Sequence, residues 1–158
     1  MEADDERLMR ASLRQAEASA RAGEVPIGAV VVLDGRIIAR GHNRPISSHD
    51  PSAHAEIVAL RAAGRRLSNY RLADAELVVT VEPCIMCVGA IVQARLHRVV
   101  YGCADPKAGA LGGAVDLAGC AAFNHRFAVS GGVLADEARA LLQRFFRSRR
   151  AAGPGGAA

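Results

Sequence analysis

Two short segments, His54-Ala55-Glu56 and Pro83-Cys84-Ile85-Met86-Cys87, each open a run with helical character, and one strand-like stretch separates them. Side chains from the two segments act together only if two helix starts meet at one end of a sheet, which demands a layered α/β chain. Cys84 and Cys87 stand at i and i+3, so their sulfurs share one helical face, and a helix N-terminus favours thiolate over thiol. His54 supplies a third ligand. One histidine and two cysteines leave the fourth tetrahedral position of a zinc ion open, as in catalytic rather than structural sites. Water can occupy that position with its pKa lowered to about 7, and Glu56, two residues from His54, is placed to take the proton.

Each half alone has an ordinary explanation. A His-x-Glu is commonly a helix-start histidine beside a solvated glutamate, and a single Cys-x-x-Cys is equally a redox pair or half of a structural zinc site. The coincidence of three ligands, one acid and two helix starts favours the catalytic site with one Zn2+ per subunit.

The rest of the chain supplies the frame. Met9, Leu13, Ala16 and Ala20 recur at helical spacing, which predicts an amphipathic helix over residues 4–22 that Gly23 ends. Two apolar runs, Ile27 to Leu33 and Arg36 to Gly41, meet at Asp34-Gly35, the signal of a type I′ hairpin. His42 to Pro51 reads as an irregular polar loop, and Ser52 as the cap of a helix reaching about Arg65. Glu76 to Val81 reads as a buried strand, Cys84 to Arg95 as a helix opening after Pro83, and His97 to Tyr101 as a further strand. Residues 102–125 are rich in Gly and Ala with weak periodicity, and such a stretch inside a compact domain is more often functional than idle. Phe127 to Ser130 gives a fifth strand, and Leu134, Ala138, Leu141, Leu142 and Phe145 mark one face of a closing helix. Helices on both faces of a mostly parallel sheet, made mixed by the first hairpin, are expected in one domain over 1–150, with 151–158 as a disordered tail.

Composition narrows the classes further. Of the 158 residues 51% are hydrophobic and only 4% aromatic, so the core must be aliphatic. A domain of this size buries about 70% of its unfolded surface and needs no disulfides. The acidic start Met1-Glu2-Ala3-Asp4-Asp5-Glu6 is unlike a signal peptide and no apolar run approaches a membrane span, so a cytoplasmic address is expected, with the four cysteines as thiols or ligands. Cys103 and Cys120 read as buried thiols, and His42, His97 and His125 lack partners at ligand spacing. Three of the four excess positive charges sit in Arg147, Arg149 and Arg150, which suit an anionic partner and equally complement a helix C-terminus.

The paired signature H-x-E and P-C-x-x-C marks zinc-dependent nucleobase deaminases. Over residues 5–150 the chain also resembles the bacterial tRNA-specific adenosine deaminase family, of the cytidine/deoxycytidylate deaminase superfamily. The resemblance rests on Val25-Pro26-Ile27-Gly28-Ala29-Val30, Asn43-Arg44-Pro45, His49-Asp50-Pro51, His54-Ala55-Glu56-Ile57 and Glu82-Pro83-Cys84-Ile85-Met86-Cys87, in the family's order and spacing. Asp105-Pro106-Lys107, Asn124-His125-Arg126 and Phe145-Phe146-Arg147-Ser148-Arg149-Arg150 extend it. It implies a three-layer α/β/α cytidine-deaminase-like fold with a five-stranded mixed sheet, a homodimer, and conversion of adenosine to inosine at the wobble position of a tRNA anticodon. It further implies that His54, Cys84 and Cys87 bind zinc, that Glu56 shuttles protons, and that Asn43 with the Ala55 backbone amide holds the purine. Asp105, Asn124, Phe146 and Arg149 are implied contacts to the anticodon loop. Val88 after Cys87, where relatives often carry alanine, and the Gly/Ala/Pro end of the chain depart from the pattern without touching the chemistry. The zinc motif is shared with deaminases of a free base or nucleoside (guanine, cytosine or cytidine), which is the alternative activity.

Overall fold

The computed structural model describes residues 2–153. Five strands, β1 (Gly28–Leu33), β2 (Arg36–His42), β3 (Glu76–Val81), β4 (Arg98–Cys103) and β5 (Ala128–Ser130), form one sheet in the order β2-β1-β3-β4-β5. The β1–β2 hairpin turns at Asp34 and Gly35 with φ of 51° and 74°, the two positive values a type I′ turn needs. β1 pairs antiparallel with both β2 and β3, and only β3–β4 and β4–β5 are parallel. The sheet is therefore evenly mixed rather than mostly parallel, because β1 is antiparallel to β3 as well as to its hairpin partner. β2, β3, β4 and β5 all point the same way, so their C-terminal ends open toward one end of the molecule, where open α/β sheets place their ligands.

Helices cover both faces. α1 (Glu2–Arg21) and α5 (Ala135–Ala152) pack on one, where Leu8, Met9 and Leu13 meet Val30, Val32, Val78 and Val100. α3 (Ala55–Leu67) and α4 (Ile85–Ala94) pack on the other, where Ala59, Leu60, Val88 and Ile91 meet Val31, Leu77, Val79 and Val99. Alternate strand residues thus feed separate cores, as the two-residue strand period requires. Both cores are aliphatic. A short helix, α2 (Pro45–Ser48), interrupts the segment expected to be irregular, with Pro45 at its start.

Glycines set the closest approaches. A side chain at Gly28 would collide with the α1 backbone at Ser12 and Ala16, and one at Gly41 would lie 2.5 Å from the Ala55 carbonyl and 2.6 Å from the Ala59 nitrogen. The start of α3 is thereby pressed onto β2. At the opposite end of the sheet Arg98 joins α1 to two strands, its guanidinium donating to Asp5 at 2.7 and 2.9 Å, to Glu76 at 3.2 Å and to Ser130 at 3.0 Å. α5 continues to Ala152, two residues into the expected tail; 154–158 lie outside the described residues. Among the described residues no helix is long and apolar enough to cross a membrane.

Candidate active site

His54 and Cys84 are the residues immediately before α3 and α4, both in extended backbone, and Cys87 lies within the first turn of α4. The helices open slightly later than the sequence suggests. Ser52 does not cap α3 but donates its hydroxyl to Asp50 Oδ1 at 2.7 Å, closing a local turn. Extended backbone at His54 and Cys84 aims both side chains across the gap between the two helix starts. His54 Nδ1 lies 3.6 Å from Cys84 Sγ and 3.6 Å from Cys87 Sγ, and the three ligand atoms all fall within 4.8 Å of one another. Tetrahedral zinc with ordinary Zn–N and Zn–S bonds separates such atoms by about 3.5 Å. The donor set therefore fits one zinc ion with Nδ1 as the histidine ligand, and no other residue in reach completes a fourth ligand among the described groups.

The electrostatics match a site made for a cation. The Cys84 thiol, bonded by Cys87 and by His54 against the opposing effect of burial, is pulled down to about 4. Cys87 moves the opposite way, because Cys84 beside it and burial both disfavour a second thiolate. His54 is raised, chiefly by its bond to Cys84. Glu56, only 4% exposed, is raised above the usual carboxylate range by burial, with the neighbouring Cys84 charge acting in the same sense and its bond to Cys87 opposing. Burial thus shifts its carboxyl toward holding a proton, the sense that general acid–base work requires.

Asn43 and Ala55 come together, but as partners of each other: the Ala55 N–H donates to Asn43 Oδ1 at 3.1 Å. That bond fixes which way the carboxamide faces and commits the Ala55 amide. Asn43 is otherwise held by its backbone, its N–H donating to the Ile27 carbonyl at 3.0 Å and its carbonyl accepting from Ser19 Oγ at 2.6 Å. A residue the sequence did not flag supports this segment. Glu24, 1% exposed, accepts from the Ile46 and Ser47 amides at 3.2 and 2.7 Å, and although burial pushes its carboxyl up, these bonds hold it below the usual range.

The expected RNA contacts divide. Asp105 follows the C-terminal end of β4, on the loop that bridges to Cys84 through Gly109, and its Oδ1 closes a turn by accepting from Lys107 and Ala108. Asn124 lies elsewhere. It accepts from Arg95 at 2.6 Å beyond the last turn of α4, about 15 Å of helix from the Cys84 turn. Phe146 is 44% exposed and packs edge-on against Phe145 at 5.5 Å. Arg149 stacks over the Phe145 ring at 4.9 Å and donates to the Gly23 carbonyl, tying the end of α5 to the end of α1. Its guanidinium has a structural task. Cys103 is buried as expected, whereas Cys120 is half-buried. A groove of about 960 Å³ between α3 and α4, lined by Leu60, Tyr70, Ala90 and Gln93, includes none of the metal-ligand candidates.

A three-layer α/β/α sheet carrying an open His-Cys-Cys site and a buried glutamate beside it defines a zinc-dependent deaminase. The cytidine and deoxycytidylate deaminase zinc-binding region matches residues 2–103, and the chain belongs to that family. It is 46% identical over 147 residues to a tRNA-specific adenosine deaminase of Haemophilus influenzae, covering 92% of this chain and 85% of that protein. A solved structure from work on A-to-I editing by tRNA:A34 deaminases at the wobble position of transfer RNA is similar with a TM-score of 0.84 at 43% identity, covering 86% of this chain and 99% of that one. A guanine deaminase from Nitrosomonas europaea is similar with a TM-score of 0.74 at 29% identity, covering 89% and 83% of the two chains.

Proposed function

We propose that the protein hydrolyses adenosine to inosine at the wobble position of a tRNA anticodon. The observation that carries this is the buried Glu56 beside an open three-ligand zinc set, on a chain that is similar to tRNA adenosine deaminases over most of its length. His54, Cys84 and Cys87 would hold zinc, which would supply Lewis acidity and bring the pKa of a water to about 7. Glu56 would take a proton from the attacking water and pass it to N1 of the adenine as the C6–O bond forms. Glu56 then relays the second proton to the exocyclic amine as the C6–N bond breaks, so that water and adenosine give inosine and ammonia. Asn43, its oxygen engaged by Ala55, has its Nδ2 to offer a purine acceptor. A base drawn from an anticodon loop is cheaper to unstack than one in a helix.

The setting of α5 supports an RNA substrate. It runs beside α1 toward the end of the sheet that holds the ligands, and its last turns carry the exposed Phe146 with Arg147 and Arg150. Phe146 suits stacking on a base and the arginines suit phosphate. With tRNA as substrate the protein works in the cytoplasm, and the apolar groove between α3 and α4 is the face we assign to a homodimer.

Incubation with an anticodon stem-loop, followed by sequencing in which inosine reads as guanosine, tests the substrate. Editing of the wobble adenosine is expected. The likeness to a guanine deaminase favours a second reading, a free base or nucleoside as substrate, and ammonia release from free guanine, cytosine, cytidine or adenosine with the stem-loop untouched would establish it instead.

A further inference from the structure

Glu82 is 4% exposed at the end of β3, two residues before the ligand Cys84. Its carboxylate reaches away from the metal ligands into the Gly-rich segment after β4 and takes three backbone donors: the Asp105 N–H on Oε1 at 3.0 Å, and the Leu111 and Gly113 N–H groups on Oε2 at 2.9 and 2.8 Å. The segment is glycine-rich where the carboxylate lies. A side chain at Gly109 would collide with the Glu82 carboxyl group, and one at Gly113 would collide with the Asp105 carbonyl and lie 2.7 Å from Glu82 Oε1. Folded on this carboxylate, the segment returns to the zinc motif. The Ala110 N–H donates to the Pro83 carbonyl at 2.8 Å, Gly109 pairs with Cys84 in an isolated antiparallel bridge, and Ala110 and Leu111 are buried against the α3–α4 core.

We propose that Glu82 is a positioning residue for the zinc site: its buried carboxylate folds residues 105–113 into a brace that holds the Cys84 backbone in the extended form its ligand role requires. Cys84 precedes its helix and makes no side-chain cap bond, so its backbone is fixed by what lies against it, and the brace is what lies there. A carboxylate suits the task because two acceptor oxygens face three donors. A glutamine in the same place turns an NH2 group toward either one backbone donor or two, losing those bonds in either orientation. Groups of this kind behind a metal ligand change affinity about 10- to 100-fold when replaced.

The test is zinc retention in the full-length protein, which needs no knowledge of the substrate. Zinc-loaded Glu82→Gln is challenged with a colorimetric chelator well below its unfolding temperature. Zinc loss about 10- to 100-fold faster than in the parent protein is expected. Gly113→Ala, which forces the brace and the Glu82 carboxylate apart without replacing Glu82, is expected to show the same acceleration, and it decides the question if Glu82→Gln does not fold. Arg98→Gln, which severs the ion pairs at the far end of the sheet, is the control: it lowers the unfolding temperature with unchanged zinc loss. Parental zinc retention in the folded variants would overturn the proposal. So would zinc loss in Arg98→Gln as fast as in the brace variants at a matched unfolding temperature.

Discussion

The four side chains assigned to the chemistry crowd one another, and that crowding shifts their protonation. Glu56 lies outside the His54-Cys84-Cys87 donor set, and its burial shifts its carboxyl toward holding a proton. Glu56→Ala is expected to keep one zinc per chain by metal analysis while turnover falls about a hundred- to ten-thousandfold. A zinc-replete variant with near-parental activity would remove Glu56 from the mechanism. The metal ligands make a second expectation. Without a cation Cys84 is already a thiolate, its pKa drawn down to about 4 by Cys87 and His54, but Cys87 and His54 are both shifted toward keeping their protons. Zinc must displace those protons, so its apparent affinity is expected to fall as pH falls through the neutral range. Calorimetric titration in two buffers of different ionisation enthalpy measures the protons released, and a pH-independent affinity would contradict the ligand set.

Helices and strands bring these side chains together through backbone contacts at a few glycines. Gly41→Ala is expected to cost about 1–3 kcal/mol in urea unfolding, because its new methyl meets the α3 backbone where neither element can yield easily. Gly89→Ala, inside α4 with nothing within 4 Å of the new methyl, is expected to stabilise by about 1 kcal/mol through helix propensity alone. A destabilised Gly89→Ala would show that α4 is more closely packed there than it stands, and a neutral Gly41→Ala that the β2–α3 approach is looser. Periodicity made such elements legible: β3 runs over Glu76–Val81 as its apolar sequence implies, and Asp34-Gly35 turns as its residue types demand. The zinc ligands were legible too, because i, i+3 spacing and a helix start are local properties. Glu24 and Glu82 were not, since a carboxylate that binds backbone amides of a distant loop leaves no periodic trace. Arg149 and Asn124 likewise have intrachain partners that sequence does not announce: Arg149 meets Gly23 and Phe145, and Asn124 meets Arg95.

One chain brings His54, Cys84 and Cys87 together, yet the groove between α3 and α4 includes none of them, and that separation bears on assembly. The α3–α4 groove is floored by Leu60 and Ala94 of the core, with the half-buried Ala90 and with Tyr70, 73% exposed, at its rim, and a second copy seated there would cover that surface. A second copy covering that face would bring two catalytic units into one particle, since α3 and α4 both begin at zinc ligands. Light scattering of the parent protein at micromolar concentration is expected to give twice the chain mass. Ala90→Arg, which sets a charge in the middle of the groove, is expected to give the single mass with its zinc retained, because Ala90 touches no ligand. A parent protein that is already monomeric would refute this assembly. An Ala90→Arg variant that remains dimeric would move the interface to another face, the α1–α5 side being the other helical layer.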